Sequence, residues 1–290
     1  MRANDRSLTG SSWTQPDLTR LFTPVARHRP ETAGRLAARG RLMCQTPTWG
    51  DGSVRSMGTR RGARLRPSLR GKAPGLGLER ELWADGHAVV VGIDEVGRGA
   101  WAGPLTLAAV VAPHDRRITR VRDSKLLTPA EREALYEPIV AWAEAWSVGH
   151  ATHDECDQLG MSAAQRLAAR RALDGLGVIP DMVLLDGNWD FIGGPNVRTV
   201  VRGDATSLSI AAASVVAKVT RDRIMVAEAD NYPAFNFERN KGYPCAQHRA
   251  SLAGRGPTTI HRRSWSFMDG LPWTGQPRVE PGGQGSLFTG

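Results

Sequence analysis

The run Val89-Val-Val-Gly-Ile-Asp-Glu-Val-Gly-Arg-Gly99 constrains this chain more than any other stretch. Its β-branched apolar half reads as a buried strand. It stops on two adjacent carboxylates, Asp94 and Glu95, and then on a glycine turn, Gly97-Arg98-Gly99. A carboxylate inside an apolar strand core is costly unless paired, so this pair belongs at the rim of a sheet. Two plainer readings compete. Acidic residues begin turns simply because they satisfy local backbone donors. Residues 97–102 also fit G-x-G-x-x-A by letter, but that dinucleotide fingerprint must open a helix. Here Gly103-Pro104 and a second strand-like run, Leu105–Val111, come next, so a tight turn between neighbouring strands fits better.

The rest of the chain alternates helices with strands. Residues 76–83 read as a short lead-in helix. Thr128-Pro129 with Glu131 has the form of a helix start, with Thr as N-cap and Pro at the first position, and the helix should reach about Ala143. A strand over 146–151 comes next, and near-helical apolar spacing predicts one long helix over 153–175. Asp181–Asp186 repeats the opening theme of an apolar strand ending in an acid. Val197–Val201 is a further strand, and Asp204 precedes the Ala-rich helical stretch Ile210–Lys218. Asn240–Pro244 is a loop, and residues 248–253 form a short helix. This order predicts an α/β fold with a mixed sheet flanked by helices.

Charge separates the ends from the body. Residues 1–74 hold 15 of the 38 Lys and Arg but only 4 of the 29 Asp and Glu. Rich in Arg, Gly, Pro, Ser and Thr without a hydrophobic period, they are expected to be a basic, disordered extension. A transit peptide or a true start at Met43 or Met57 are the competing accounts. A folded domain is expected over residues 75–270 and a flexible tail over 271–290. Cys44, Cys156 and Cys245 are far apart and form no C-x-x-C pair, which argues against a zinc site or a disulfide framework. With no membrane-length apolar run and no secretory signal, the expectation is a soluble, cytoplasmic monomer.

Four acids, Asp94, Glu95, Asp186 and Asp204, thus fall at element ends. If the strands are neighbours, the acids converge on one sheet edge, where they repel one another unless a cation is present. An all-oxygen ligand set favours Mg²⁺ or Mn²⁺, and a two-ion site can activate water and stabilise a leaving oxygen at a phosphodiester. Taken singly, Asp186 is as well explained as a turn former and Asp204 as a helix cap. Asp222 lies inside a helical run, and an i,i+4 pair with Lys218, or a pair with another neighbour, explains it better than a metal does.

The strings GIDEVGRGAWAGP, RDSKLLTP, LLDGN, RGDATSLSIAAASVVAKVTRDR, NKGYP and GPTTIHRRSW resemble ribonuclease HII in order and spacing, over about residues 76–268. The resemblance implies a ribonuclease H-like mixed sheet with a helical C-terminal segment. It implies metal-dependent endonucleolytic cleavage of RNA in RNA–DNA hybrids, and nicking 5′ to single ribonucleotides in duplex DNA, with 3′-hydroxyl and 5′-phosphate ends. It assigns Asp94, Glu95, Asp186 and Asp204 to catalysis and metal binding. It assigns the backbone of Gly97, Arg98 and Gly99 to sensing the ribose 2′-hydroxyl, and Tyr243 to packing on the sugar.

Pro244 succeeds Tyr243 where the bacterial pattern more often has glycine, implying a stiffer loop. Ser124 and Lys125, in Asp123-Ser124-Lys125, resemble a phosphate-contacting segment, with a helix-capping turn as the alternative. His261 with Arg262 and Arg263 is read either as touching phosphates or as a solvated basic loop. In the tail, Gln284, Leu287 and Phe288 resemble the bacterial sliding-clamp pentapeptide, against the plainer reading of a disordered end. The rival functions are a ribonuclease HIII-like hybrid nuclease and a non-catalytic hybrid-binding protein.

Overall fold

The computed structural model describes residues 73–271 together with Arg66, Leu69 and Gly71. The extension over 1–74, apart from those positions, and the tail segment with Gln284, Leu287 and Phe288 lie outside the described residues. The elements are α1 (Gly77–Ala84), β1 (Val90–Val96), β2 (Leu105–Val111), α2 (Pro129–Trp142), β3 (Ala145–Ala151), α3 (His153–Leu159), α4 (Met161–Asp174), β4 (Met182–Asp186), β5 (Val197–Val200), α5 (Gly203–Thr206), α6 (Leu208–Asn231), α7 (Phe237–Asn240) and α8 (Ala246–Arg255).

The five strands form one mixed sheet in the order β3-β2-β1-β4-β5. The first three run as an antiparallel meander, whereas β4 and β5 join parallel to β1. Period-two alternation sorts β2 between two cores. Ala108 and Val110 pack with α6 and α2, while Leu105, Leu107, Ala109 and Val111 face α4. Because both faces are covered, the central strands read as continuous apolar runs.

The capping box at Thr128 and Glu131 is present, with Pro129 at the first helical position. The single helix expected over 153–175 is two. Thr152 and Glu155 form a second capping box for α3, and Gly160, at φ 75°, separates α3 from α4. Hydrophobic spacing alone, blind to caps, runs straight through that break. Among the described residues, no helix is long and apolar enough to cross a membrane.

Candidate active site

Three carboxylates meet at one edge of the sheet. Asp94 near the end of β1, Asp186 at the end of β4 and Asp204 in α5 each offer an oxygen, and these oxygens lie within 4.8 Å of one another. Asp94 and Asp204 are buried, at 4% and 5% exposure. The parallel pairing of β1 with β4 brings the first two together, with Ile93 opposite Leu185 one residue before the acids. The Gly203 N–H donates to Asp186 Oδ1 at 2.7 Å and so ties α5 to β4. Glu95 lies outside this group of three, as expected where successive strand residues face opposite ways. It still lines the same cleft, of about 240 Å³, with Asp94, Asp186, Lys125, Lys218, Tyr243 and the glycine turn.

Burial pushes the Asp94 carboxyl well above the usual range, helped by repulsion from Asp186 and Glu95. Glu95 is raised by burial and by Asp186, and Asp186 by burial and by Asp204. The ammonium of Lys125 lies 3.2 Å from Asp204 Oδ2 on a side chain that is 74% exposed. Burial works against its charge, but Asp94, Asp204 and Asp123 outweigh it and raise the Lys125 pKa. Such an oxygen-only, mutually repelling set fits a hard divalent cation.

Facing the acids is the glycine turn. Gly97 has φ 89°, and a Cβ there would overlap the buried guanidinium of Arg221, so only glycine fits without displacement. The Gly97 N–H donates to the Tyr243 hydroxyl at 3.0 Å. The Tyr243 ring lies 5.3 Å from the Arg221 guanidinium carbon and 5.5 Å from Lys218 Nζ. Asp123 caps a 3₁₀ turn, Ser124–Leu126, by accepting the Lys125 N–H at 2.8 Å. That capping turn also presents Lys125 to the cleft, while Ser124 is buried and accepts from Ser214 Oγ at 2.8 Å.

Arg221 is a site residue that the sequence does not announce, and Arg262 is one whose buried role it does not. Both are fully buried. Arg221 donates to the carbonyls of Pro104, Ala102 and Lys241, bridging the β1–β2 connection to the loop that carries Tyr243. Burial lowers its pKa to about 10. Arg262 donates to the carbonyls of Arg98 and Gly103. An arginine on a helix or in a basic triplet reads as solvated, and nothing local betrays a pocket of carbonyls.

The reading of this basic segment as a phosphate contact or solvated loop is therefore corrected for His261 and Arg262, which are 1% and 0% exposed, while Arg263 is half-buried. Asp157 draws this segment inward by accepting the backbone N–H groups of Arg263 and Ser264. Thr258 N–H donates to His261 Nδ1, so His261 donates through Nε2 to His248 Nε2 at 2.9 Å, and His248 Nδ1 donates to the Tyr243 carbonyl. Asp222 pairs with Lys218 at 2.7 Å, as its i,i+4 spacing predicts. A larger hollow of about 370 Å³ beside Gly103, Tyr136 and Ile224 has mostly apolar walls and lacks the carboxylate cluster.

Comparison with known proteins places the chain in a family. A family model described as Ribonuclease HII matches residues 91–268. Ribonuclease HII of Streptomyces avermitilis is 47% identical over 213 residues, covering 72% of this chain and 91% of the relative. That of Streptomyces griseus is 50% identical over 200 residues, covering 67% and 85%. The ribonuclease H2 structure from Pyrococcus horikoshii aligns with a TM-score of 0.54 at 27% identity, over 63% of this chain and 96% of that one. The ribonuclease HII from Archaeoglobus fulgidus, solved in a complex with PCNA, shares the fold at a TM-score of 0.52 and 24% identity, over 61% of this chain and 95% of that one. With the family model covering more than half of its length and the carboxylate edge in place, this chain belongs to the ribonuclease HII family.

Proposed function

We propose that the chain, an endonucleolytic ribonuclease by family, cleaves the RNA strand of RNA–DNA hybrids and nicks 5′ to single ribonucleotides in duplex DNA, leaving 3′-hydroxyl and 5′-phosphate ends. The supporting observation is that one cleft is lined both by Asp94, Glu95 and Asp186 of the carboxylate edge and by the turn formed by Gly97 and Tyr243. Cleaving a phosphodiester requires charge compensation, and choosing ribose over deoxyribose requires donors or acceptors close to the 2′-hydroxyl.

In this reading Asp94, Asp186 and Asp204, with Glu95, hold Mg²⁺ or Mn²⁺. When bound, the ions supply an activated water and compensate charge at the leaving oxygen. The backbone of Gly97, Arg98 and Gly99 approaches the ribose, Tyr243 supports the adjoining sugar, and Ser124 and Lys125 form the segment that steers phosphate. The test is a titration of Mg²⁺ and of Mn²⁺ on a duplex with one ribonucleotide. The expected result is metal-dependent nicking that Asp94→Asn abolishes. Undiminished cutting by that variant would refute the metal assignment, and hybrid binding without metal-dependent turnover would favour a non-catalytic role.

The same reading includes a tether. Gln284, Leu287 and Phe288 would dock on a bacterial sliding clamp and deliver the nuclease to newly replicated DNA.

A further inference from the structure

Asp94 and Asp186 stand on strands at the centre of the sheet, but Asp204 stands on α5, a helix of only four residues. So short a helix has almost no stability of its own, so its position depends on what grips it. Gly203 N–H on Asp186 is the grip at one end. The other end is held from α1, which precedes the segment matched by the family model.

There the carboxylate of Glu79 is completely buried. Its Oε1 accepts from Ser207 Oγ at 2.6 Å, Ser209 Oγ at 2.7 Å and Ser209 N at 2.9 Å. Its Oε2 has no hydrogen-bond partner among the described residues. Ser207 is the residue after α5 and the N-cap of α6, accepting the Ile210 N–H at 3.2 Å. Next to it, Gly75 N–H donates to the Thr206 carbonyl at 3.1 Å and the Leu208 N–H donates to the Gly75 carbonyl at 2.9 Å. A buried carboxylate is costly unless its bonds repay it, and the amide end of a helix favours negative charge. The placement is therefore specific to the junction three residues beyond Asp204.

We infer that Glu79 is a positioning residue that fixes Asp204 for divalent-cation binding, by clamping the α5–α6 junction through Ser207 and Ser209. This rests on reading the carboxylate edge as a metal site. The segment Gly75–Ala84 is on this account part of the active-site scaffold, although it carries no group that touches substrate.

The test is calorimetric titration of Mn²⁺ into the metal-free full-length protein, alongside amide hydrogen exchange over residues 203–210. Glu79→Ala is expected to weaken Mn²⁺ binding on the order of tenfold, the scale of one lost charge-assisted hydrogen bond, and to speed exchange in that segment. Glu79→Gln keeps an acceptor where the three donors converge and should recover most of the affinity. Ser207→Ala, which cuts the clamp from the other side, should weaken Mn²⁺ binding in the same direction. Ile139→Ala, a core truncation in α2, should lower melting temperature without changing Mn²⁺ affinity. If Glu79→Ala and Ser207→Ala lose stability but bind Mn²⁺ within twofold of the parent, the inference is overturned. If the parent itself fails to bind Mn²⁺, the metal site falls, and this inference with it.

Discussion

The hydroxyl of Tyr243 accepts the Gly97 N–H at 3.0 Å, joining a loop of the C-terminal segment to the turn at the end of the first strand. Tyr243→Phe leaves that buried amide without its partner, at about 1–3 kcal/mol for an unsatisfied donor. The expected outcome is a loss of roughly tenfold or more in single-turnover nicking of a one-ribonucleotide duplex, with the fold retained. Equal rates for the parent and the Phe variant would show that the hydroxyl contact to Gly97 has no part in cleavage.

Arg221 anchors the same contact from below through three carbonyls. A lysine cannot reproduce the planar fork. Arg221→Lys is expected to cost about 2–4 kcal/mol in urea denaturation, as buried acceptors lose donors, and to raise KM for the duplex.

Asp94 is a charge the fold tolerates at a cost. Its pKa is raised chiefly by burial, so ionising it burdens the folded state, and that burden lifts as pH falls through the raised value. In the absence of divalent ions, Asp94→Asn should therefore melt at a higher temperature than the parent while losing cleavage. A lower melting temperature in EDTA would contradict the electrostatic account.

Buried imidazoles act the opposite way. Burial, more than repulsion from neighbouring cations or imidazole, lowers His150 from its ordinary 6.5 to about 4 and His261 to about 3. Below pH 6.5 the unfolded chain takes up protons that the folded chain refuses, so stability falls with pH until those lowered values are reached. The slope is up to about 1.4 kcal/mol per pH unit for each imidazole. Because the raised carboxylates oppose this trend, the informative measurement compares urea midpoints of the parent and His261→Gln between pH 7 and 5. The variant's acid limb should be shallower by one proton.

The tail offers an independent measurement. Leu287→Ala combined with Phe288→Ala should abolish binding to a bacterial sliding clamp in surface-capture or gel-filtration assays, with nicking of a short duplex unchanged. Unchanged clamp affinity would sink the tether.

Local chemistry made much of this protein legible from sequence alone. The acids at strand ends, the capping box at Thr128, the glycine turn and the Lys218–Asp222 pair each depend on neighbours within a few residues. Periodicity and turn chemistry record such relationships directly. Other features depended on contacts between distant segments. Only the parallel pairing of β1 with β4 brings Asp94 to Asp186, and only tertiary packing fills the space above Gly97 with Arg221. Sequence likewise could not tell that His261 and Arg262 turn inward, or that Glu79 grips the junction after Asp204. A buried polar side chain is stable only where long-range folding supplies its partners, and no local pattern in the chain encodes where those partners will be.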